Sequence, residues 1–322
     1  MKVNQMHNRL WLAAAISLMV SLSAQAQQYP SRPVTIINPY AAGSSTDVMA
    51  RALAVEFQEA LGQSFVVVSR DGASGVVGMT VVRVAAPDGL TLAYTPATAL
   101  TVQPHLVAGT HLGPDALQPI CGVAENILAI AVRADSPLTS VGDIVKKSKE
   151  AGSLSYGSPG PNSGPSLGVE DLARQQKINF VHLPFRGDAA SIQELLAGRM
   201  DFDAVVAASA APFTKAGSVR LLAVMSKTRH PDFPEVPTLE QLGYPVTQLS
   251  YTGIYGPKGM PPEVVNTLEQ TCAKAVAGNA IKRVATNSKQ VLTYQSRAQM
   301  EQMLTEQFRL QGERLRAVGA VK

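Results

Sequence analysis

Residues 40–47 combine small, hydroxyl and acidic side chains in a way that could bind an anion. The segment consists of Tyr40, Ala41, Ala42, Gly43, Ser44, Ser45, Thr46 and Asp47. It follows an apolar run at residues 34–37 and precedes an amphipathic pattern that starts at Val48. A strand that turns into a helix here leaves the first helical N–H groups unpaired, and the helix dipole adds positive potential. The segment therefore predicts a seat for a carboxylate or phosphate, while Asp47 could instead cap the same helix.

Four more loops rich in small residues follow predicted strands, at residues 69–75, 95–98, 158–166 and 184–188. Each alone is typical of an ordinary turn. Ligands of open α/β sheets bind at the carboxyl ends of strands, so loops placed there in both halves of the chain predict a binding cleft. Arg186 in the last loop could hold a ligand carboxylate through both guanidinium nitrogens, or it could form a surface salt bridge with Asp188 or a neighbouring carboxylate.

Residues 164–168 match the G-x-S-x-G pattern of a serine hydrolase, with Ser166 as the nucleophile. That motif needs its serine on a tight turn directly after a strand, whereas the preceding strand is predicted to end near Gly157. His182 and His230 lie downstream as possible bases, but nothing in the sequence places either beside Ser166. An exported serine hydrolase therefore stays as the alternative to a binding protein.

Cofactor and metal motifs are absent from the sequence. It has no P-loop, no H-E-x-x-H and no C-x-x-C, and its near match to a dinucleotide fingerprint at residues 72–78 has the wrong spacing. We therefore expect no cofactor, no metal and no catalysis. Cys121 and Cys272 either pair in a disulfide that closes a long loop or stay as two buried thiols, and the sequence leaves both open.

The N-terminus predicts export. A basic start, an apolar run at residues 10–22 and a small-x-small end form a secretory signal peptide, with cleavage expected after Ala26. We expect a soluble periplasmic protein, since no later segment is long and apolar enough to span a membrane. The formal net charge is only +4, and the signal peptide carries two of the cations, which argues against nucleic acid as a partner. An aromatic content of 5% disfavours a sugar-stacking site.

Short β-branched runs alternate with helical patterns along the whole chain. The order of strand and helix over residues 34–94 predicts a parallel sheet with right-handed crossovers, and the pattern restarts after residue 127. Mostly helical residues 263–318 are expected to return to the first unit, with chain crossings near residues 129–134 and 247–253. The sequence thus predicts an α/β protein of two lobes with a hinge, one lobe formed by residues 27–128 and 252–322 and the other by residues 129–251.

Several short motifs in this order resemble the Bug proteins, the substrate-binding proteins of tripartite tricarboxylate transporters. The resemblance covers essentially the whole mature chain. Its motifs lie at residues 39–43, 47–51, 62–63, 72–75, 86–92, 156–160, 183–187, 234–239 and 257–261. The chain departs from the family pattern at Gly43-Ser44, where two glycines are usual, at residues 69–72, and at Phe185, where tyrosine is usual.

The resemblance implies a type II-like periplasmic binding fold, in which each lobe has a mostly parallel sheet flanked by helices and two crossings form the hinge. It implies a monomer that captures a small organic acid between the lobes and delivers it to a membrane transporter or a signalling partner. It also implies which residues bind the ligand besides residues 40–47. These are Thr95, Thr98, Ser158, Pro159, Gly160, Asn162, Ser163, Ser166, Phe185, Arg186 and Gly187.

Overall fold

The computed structural model describes residues 29–317 and residue 321. The expected signal peptide and its cleavage after Ala26 lie outside the described residues. The strands are β1 (Val34–Asn38), β2 (Phe65–Ser69), β3 (Thr91–Pro96), β4 (Leu117–Glu125), β5 (Leu128–Arg133), β6 (Leu154–Ser158), β7 (Phe180–Pro184), β8 (Phe202–Val206), β9 (Val219–Val224), β10 (Tyr251–Pro257) and β11 (Val291–Gln295). The helices are α1 (Ser45–Leu61), α2 (Val76–Arg83), α3 (Thr98–Thr101), α4 (Gln103–Leu106), α5 (Val141–Ala151), α6 (Gly164–Gln176), α7 (Asp188–Leu196), α8 (Ala207–Lys215), α9 (Pro262–Val276), α10 (Asn279–Ser288) and α11 (Arg297–Ala317).

The first sheet has the strand order β11-β4-β10-β3-β1-β2. Strand β1 pairs in parallel with β2 and β3, as the βαβαβ pattern predicts. Helix α1 ends at Gly62, whose left-handed backbone (φ 70°) closes the last turn through a bond to the Gln58 carbonyl. Apolar residues at four-residue spacing on α1, among them Met49, Leu53 and Phe57, are fully buried against this sheet.

The second sheet has the strand order β7-β6-β8-β5-β9. Strands β6, β7 and β8 run in parallel, while β5 is antiparallel to β8 and β9. Ser140 caps helix α5, because its Oγ accepts a hydrogen bond from the amide of Asp143. The fold is the expected α/β architecture of two lobes, each built on its own sheet.

Both sheets are mixed, which corrects the expectation of mostly parallel sheets. Strand β10 lies between β3 and β4 and is antiparallel to both, and β11 is antiparallel to β4. The reason is the crossing between lobes. Strand β4 leaves the first sheet toward the second lobe and β10 returns from it, so the two run in opposite directions side by side. Their pairing is non-local, and no local sequence pattern encodes it.

The lobes are joined by two adjacent segments. The first connection is only residues 126–127, between β4 and β5; the predicted crossing at residues 129–134 was wrong because those residues lie mainly within β5. The second connection leads from residue 250 into β10. The amide of Asn126 donates to the carbonyl of Ser250 at 2.7 Å, so the two crossings are hydrogen-bonded to each other. Short paired crossings of this kind suit a hinge.

The direction of the strands determines where the loops at their carboxyl ends lie. The carboxyl ends of β1, β2 and β3 lie at the edge from which β4 leaves for the second lobe. The carboxyl ends of β6, β7 and β8 lie at the edge where β5 enters the second sheet. The loops after these two sets of strands therefore lie on the sides of the lobes that face each other.

Cys121 in β4 and Cys272 in α9 form a disulfide, with 6.5 Å between their Cα atoms. This resolves the alternative left open by the sequence. The bond ties α9 to the first sheet, and the loop of chain that it closes contains the whole second lobe. On the chain-entropy model, closing a loop with the 151-residue separation of this pair stabilises the fold by about 5 kcal/mol.

The described C-terminal region is mostly helical, as predicted, and contains one strand. Helix α10 ends at Lys289 in a left-handed conformation (φ 58°), and strand β11 follows before α11 begins. The local run Val291–Gln295 is rich in β-branched and aromatic residues, which favours a strand once the sheet edge at β4 is available. In the described part of the chain, no helix combines the length and apolar character that a membrane crossing requires.

Candidate functional site

The loop after β1 leads into α1 through a capped first turn. Ser44 is the N-cap, and its Oγ accepts a hydrogen bond from the amide of Asp47 at 3.2 Å. Among the described residues, the amides of Ser45 and Thr46 donate no hydrogen bond within the protein. These are the first two N–H groups of a 17-residue helix, where the dipole is positive. The first turn of α1 therefore keeps two donors for an anion.

Asp47 is turned toward its own lobe. The side chain of Arg51 donates to both of its carboxylate oxygens at 3.0 Å, and the amide of Gly43 donates to Oδ2 at 3.0 Å. Burial alone raises the pKa of this carboxyl, but the bonds from Arg51 and Gly43 outweigh it and the pKa is lowered. Asp47 is only 3% exposed and stabilises the loop from inside the protein. Its carboxylate oxygens bond to Arg51 and Gly43, so they do not bind a ligand.

Gly43 is exposed and has a positive φ of 80°. A Cβ added there would meet nothing within 4 Å, so a larger side chain would act through backbone strain rather than by filling the cleft. Ala41 and Ala42 beside it are also exposed. The loop before α1 therefore presents three small, exposed residues in succession.

Tyr40 lies beneath this loop and meets the carboxyl end of β3. Burial raises the pKa of its phenol, and the side chains of Thr98 and Thr95 lie near it and oppose this shift. The negative charge of Asp188, from the second lobe, raises the pKa further. The phenol therefore stays neutral over the physiological range. Sequence reasoning had brought Tyr40, Thr95 and Thr98 into one site, and the structure places them together.

The loop after β6 is held by a compact hydrogen-bond network. The Oγ of Ser158 bonds the carbonyl of Gly160 at 2.8 Å and the Nε2 of His182 at 2.7 Å. Asn162 adopts a left-handed backbone (φ 54°), and Ser163 then caps α6. Ser158 is fully buried, so its contact with His182 orders the loop and does not expose a nucleophile.

Ser166 lacks the surroundings of a hydrolase nucleophile. It is 0% exposed, and its Oγ donates to the carbonyl of Ser163 at 3.0 Å. His182 is bonded to Ser158, and His230 is bonded to the carbonyl of Lys289 at 2.9 Å. The serine is thus on the buried side of the first turn of α6, without a base. The hydrolase alternative has no support in the structure.

The loop after β7 lies against the loop after β6. The amide of Phe185 donates to the carbonyl of Ser158 at 2.9 Å, and the amide of Gly187 donates to that of Pro159 at 3.0 Å. Arg186 is exposed and forms no ion pair among the described residues. The expected alternative of a salt bridge with Asp188 was wrong, because Asp188 accepts hydrogen bonds from Ser209 Oγ and the amide of Val206 instead.

The two lobes contact each other at several of these loops. Ser74 Oγ donates to the carbonyl of Pro161 at 3.3 Å, and Gln103 Nε2 donates to the carbonyl of Asn162 at 3.4 Å. A Cβ on Gly164 would lie 3.9 Å from Cγ2 of Thr98. The sequence placed Ser74 in a loop of interest but gave no sign of Gln103, which lies on a four-residue helix without a recognisable motif.

Known proteins resemble this chain over most of its length. Residues 49–319 match the family model described as the tripartite tricarboxylate transporter family receptor, TctC. A protein encoded in the gbd 5′ region of Cupriavidus necator is 35% identical over 276 residues, which cover 83% of each chain. A TctC solute-binding protein from Polaromonas, solved without ligand, is 31% identical with a TM-score of 0.71, covering 88% of this chain and 98% of its own. The periplasmic binding protein BugD is 26% identical with a TM-score of 0.83, covering 91% of this chain and 100% of its own.

Proposed function

The chain belongs to the tripartite tricarboxylate transporter family of receptors, and on that premise we propose that it captures a small organic acid between its two lobes. The observation that carries the proposal is the first turn of α1, where, among the described residues, the amides of Ser45 and Thr46 donate no hydrogen bond. Backbone donors at the positive end of a helix dipole bind carboxylates without a cationic side chain. The neutral phenol of Tyr40 supplies a further polar contact.

The ligand site lies among the loops at residues 40–47, Thr95 and Thr98 of one lobe and at residues 158–166 and 185–187 of the other. Within these loops the buried side chains of Asp47, Ser158 and Ser166 support the backbone and do not contact the ligand. At the site, Arg186 is the exposed cation that could reach a ligand carboxylate. Residues 27–128 and 252–322 move as one lobe and residues 129–251 as the other. Rotation about the paired crossings opens and closes the site, and closure excludes water around the amide donors.

The receptor works outside the cytoplasm, after cleavage of the signal peptide at Ala26, as a monomer without catalytic activity. It presents its ligand to the membrane components of a tripartite tricarboxylate-type transporter through a transient contact. The match to a periplasmic binding protein over almost the whole chain supports this location. The buried, base-free Ser166 supports the absence of hydrolysis.

Replacing Ser45 with proline tests whether the first turn of α1 binds the ligand carboxylate. Ser45 is the first helical residue of α1, and Ser44 before it has an extended backbone (φ −64°, ψ 162°), so proline fits there and removes the N–H group. Proline also removes the hydroxyl, so Ser45→Ala, which removes the hydroxyl alone, is measured beside it. Losing one hydrogen bond to a charged ligand weakens binding by about 1.5–3 kcal/mol, or about ten- to a hundred-fold. Calorimetric titration with succinate, malate, citrate and glutamate measures this loss for whichever acid binds.

The matched control is Asn279→Pro. Asn279 is the exposed first residue of α10, after Gly278 with a similar extended backbone (φ −72°, ψ 165°), and it lies in the same lobe away from the cleft. The control is expected to bind like the unmodified protein. If Ser45→Pro and Asn279→Pro bind the acid with equal affinity, the first turn of α1 is not the carboxylate-binding site.

A further inference from the structure

The C-terminal end of α10 contacts the second lobe. Lys289 ends this helix of the first lobe, whereas His230 and Asp232 adjoin Phe233, which is buried in the core of the second lobe. Nε2 of His230 lies 2.9 Å from the carbonyl oxygen of Lys289, and Nζ of Lys289 donates to Oδ1 of Asp232 at 2.9 Å. Both the backbone and the side chain of Lys289 therefore bond to the other lobe.

The hydrogen bonds of His230 show which ring nitrogen carries the proton. Nδ1 accepts a hydrogen bond from the backbone amide of Asp232 at 3.0 Å, so it has no proton of its own. The proton of the neutral ring is then on Nε2, which donates it to the carbonyl of Lys289. His230 is only 1% exposed. A proton added to Nδ1 would face the amide of Asp232, so the charged ring cannot make both bonds.

Two charged groups act on the His230 ring, Asp232 and Lys289, and they pair with each other. Arg229, the preceding residue, bonds instead to Gln241 and to the carbonyl of Pro234. Burial lowers the pKa of His230 below its ordinary value of 6.5, although the Lys289 carbonyl and Asp232 oppose this shift. The neutral ring that the hydrogen bonds require is therefore the form present at neutral pH.

The residue after Lys289 reaches the first turn of α1. Gln290 is 8% exposed, and its Nε2 donates to the carbonyl of Ser45 at 3.3 Å. Ser45 is the first residue of α1, and among the described residues its amide donates no hydrogen bond. Lys289 and Gln290 thus connect the second lobe to the turn that is proposed to bind the ligand carboxylate.

We propose that His230, Asp232 and Lys289 form a latch that favours the closed arrangement of the two lobes, and that Gln290 links this latch to the carboxylate-binding turn of α1. His230 is then a positioning residue that does not touch the ligand. Because only the neutral ring makes both bonds, acid releases the latch. The effect on ligand binding rests on the proposed function, whereas the effect on closure does not.

His230→Leu removes both hydrogen bonds of the ring. We expect it to raise the dissociation constant about five-fold or more at about pH 7.5, because two hydrogen bonds that favour the closed state are lost. The affinity is measured by calorimetric titration with succinate, malate, citrate and glutamate. The matched control is His105→Leu, since Nε2 of His105 also bonds a carbonyl at 2.9 Å, that of Phe308, but within the first lobe. The control is expected to bind like the unmodified protein.

Small-angle X-ray scattering without any ligand measures closure itself. At about pH 7.5 we expect a larger radius of gyration for His230→Leu than for the unmodified protein and for His105→Leu. If His230→Leu changes neither the radius of gyration nor the dissociation constant, the proposal is overturned.

His230→Gln keeps a donor for the Lys289 carbonyl and takes up no proton. In the unmodified protein the pKa of His230 is lower in the closed state than in an open state that exposes the ring, so the closed state binds fewer protons. Closure is therefore favoured most above about pH 6.5 and weakens as pH falls through the lowered value. Between about pH 7.5 and about pH 5.5, we expect the unmodified protein to lose affinity relative to His230→Gln.

The comparison of two proteins at each pH cancels the titration of the ligand. A ratio of dissociation constants that does not change with pH would overturn the role of the neutral His230 ring.

Gln290→Met removes the side-chain amide and keeps an unbranched side chain. We expect it to weaken binding, and we expect the double variant with His230→Leu to bind about as weakly as the weaker single variant, because both changes break the same connection. Losses that add in the double variant would show that the latch and the first turn of α1 act separately, and would overturn the link through Gln290.

The two proposals fail differently. If an acid binds and the His230 variants behave like the unmodified protein, the carboxylate receptor stands and the latch is contradicted. If none of the four acids binds, the proposed function is contradicted, and the scattering comparison still decides whether the latch closes the lobes.

Discussion

Asp47 shows how a single side chain shapes the site without forming part of its ligand-facing surface. Its carboxylate joins the amide of Gly43 to the guanidinium of Arg51, and so it fixes the loop that precedes the free amides of Ser45 and Thr46. The sequence allowed two roles for this residue, ligand binding or helix capping. The structure instead gives it the N3 position behind the true cap, Ser44.

Asp47→Ala is expected to destabilise the fold by about 1–3 kcal/mol at neutral pH, because several hydrogen bonds to a buried charged group are lost. The folded-state pKa of Asp47 is lowered, so its contribution is present above the unfolded-state pKa and is lost as pH falls through the folded-state value. Urea unfolding of both proteins at neutral and acidic pH should therefore show a difference in the free energy of unfolding that becomes smaller in acid. A difference that does not change with pH would contradict the role of the Asp47 charge. Asp135→Ala, an exposed acid, is the control and is expected to change little.

At the scale of elements, the carboxylate-binding turn of α1 depends on how closely α2 packs against the loop after β1. Gly78 of α2 lies against Pro39 and the carbonyl of Arg70; an added Cβ would be 2.7 Å from Pro39 Cβ and 2.8 Å from that carbonyl oxygen. Both neighbours are backbone or ring atoms, which cannot move aside as a flexible side chain would. Pro39 directly precedes Tyr40, so a shift there is transmitted to the site.

Gly78→Ala is expected to destabilise the protein by about 1–3 kcal/mol through overpacking, and to weaken binding of the ligand acid as Tyr40 moves. The matched control is Gly142→Ala, at a helical position of α5 where the nearest atom, Ser140 Oγ, is 3.4 Å from the added Cβ. That change should be neutral or slightly stabilising, since alanine favours a helix by about 0.5–1 kcal/mol. Thermal unfolding and calorimetric titration measure the two effects. If the two variants show the same melting temperature and the same affinity for the acid, the close packing of Gly78 does not support the site.

The elements that sequence reasoning predicted well are those with a strong local pattern. Strand β1 extends the apolar run at residues 34–37 by one residue, and α1 begins three residues before the amphipathic pattern that starts at Val48. Strands β4 and β11 were missed. Each reaches its place through antiparallel pairing with a strand distant in sequence, and β4 contains Gln118, Pro119 and Gly122, which weaken a local strand signal.

The same distinction applies to the site. Loops at strand ends could be predicted from glycine, proline and hydroxyl residues, and the structure brings those of both lobes together. The direction of individual side chains could not be predicted, because Asp47 and Ser166 are buried in the protein. Their directions depend on hydrogen bonds, such as those from Gly43 and Arg51 to Asp47, that no sequence pattern encodes.

At the scale of the whole molecule, the fold divides binding between two bodies that meet at their strand ends. Besides the contacts of Ser74 and Gln103, Arg314 of α11 lies 3.3 Å from Asp171 of α6 and donates to Gln248 at 2.9 Å. Interactions across the cleft and beside the hinge thus hold the two lobes together in this conformation. A ligand that bridges the lobes stabilises this state over an open one by its differential affinity.

The most direct test of the receptor account is thermal unfolding of residues 27–322 against small mono-, di- and tricarboxylates and amino acids, with neutral sugars as controls. Unfolding and refolding the protein before the assay removes any acid retained from the host. A ligand at about 100-fold above its dissociation constant adds about 2.7 kcal/mol, which raises the melting temperature by several degrees. We expect such a shift with at least one carboxylate and none with sugars. An unchanged melting temperature with every acid, in a refolded protein that melts cooperatively, would contradict a carboxylate receptor.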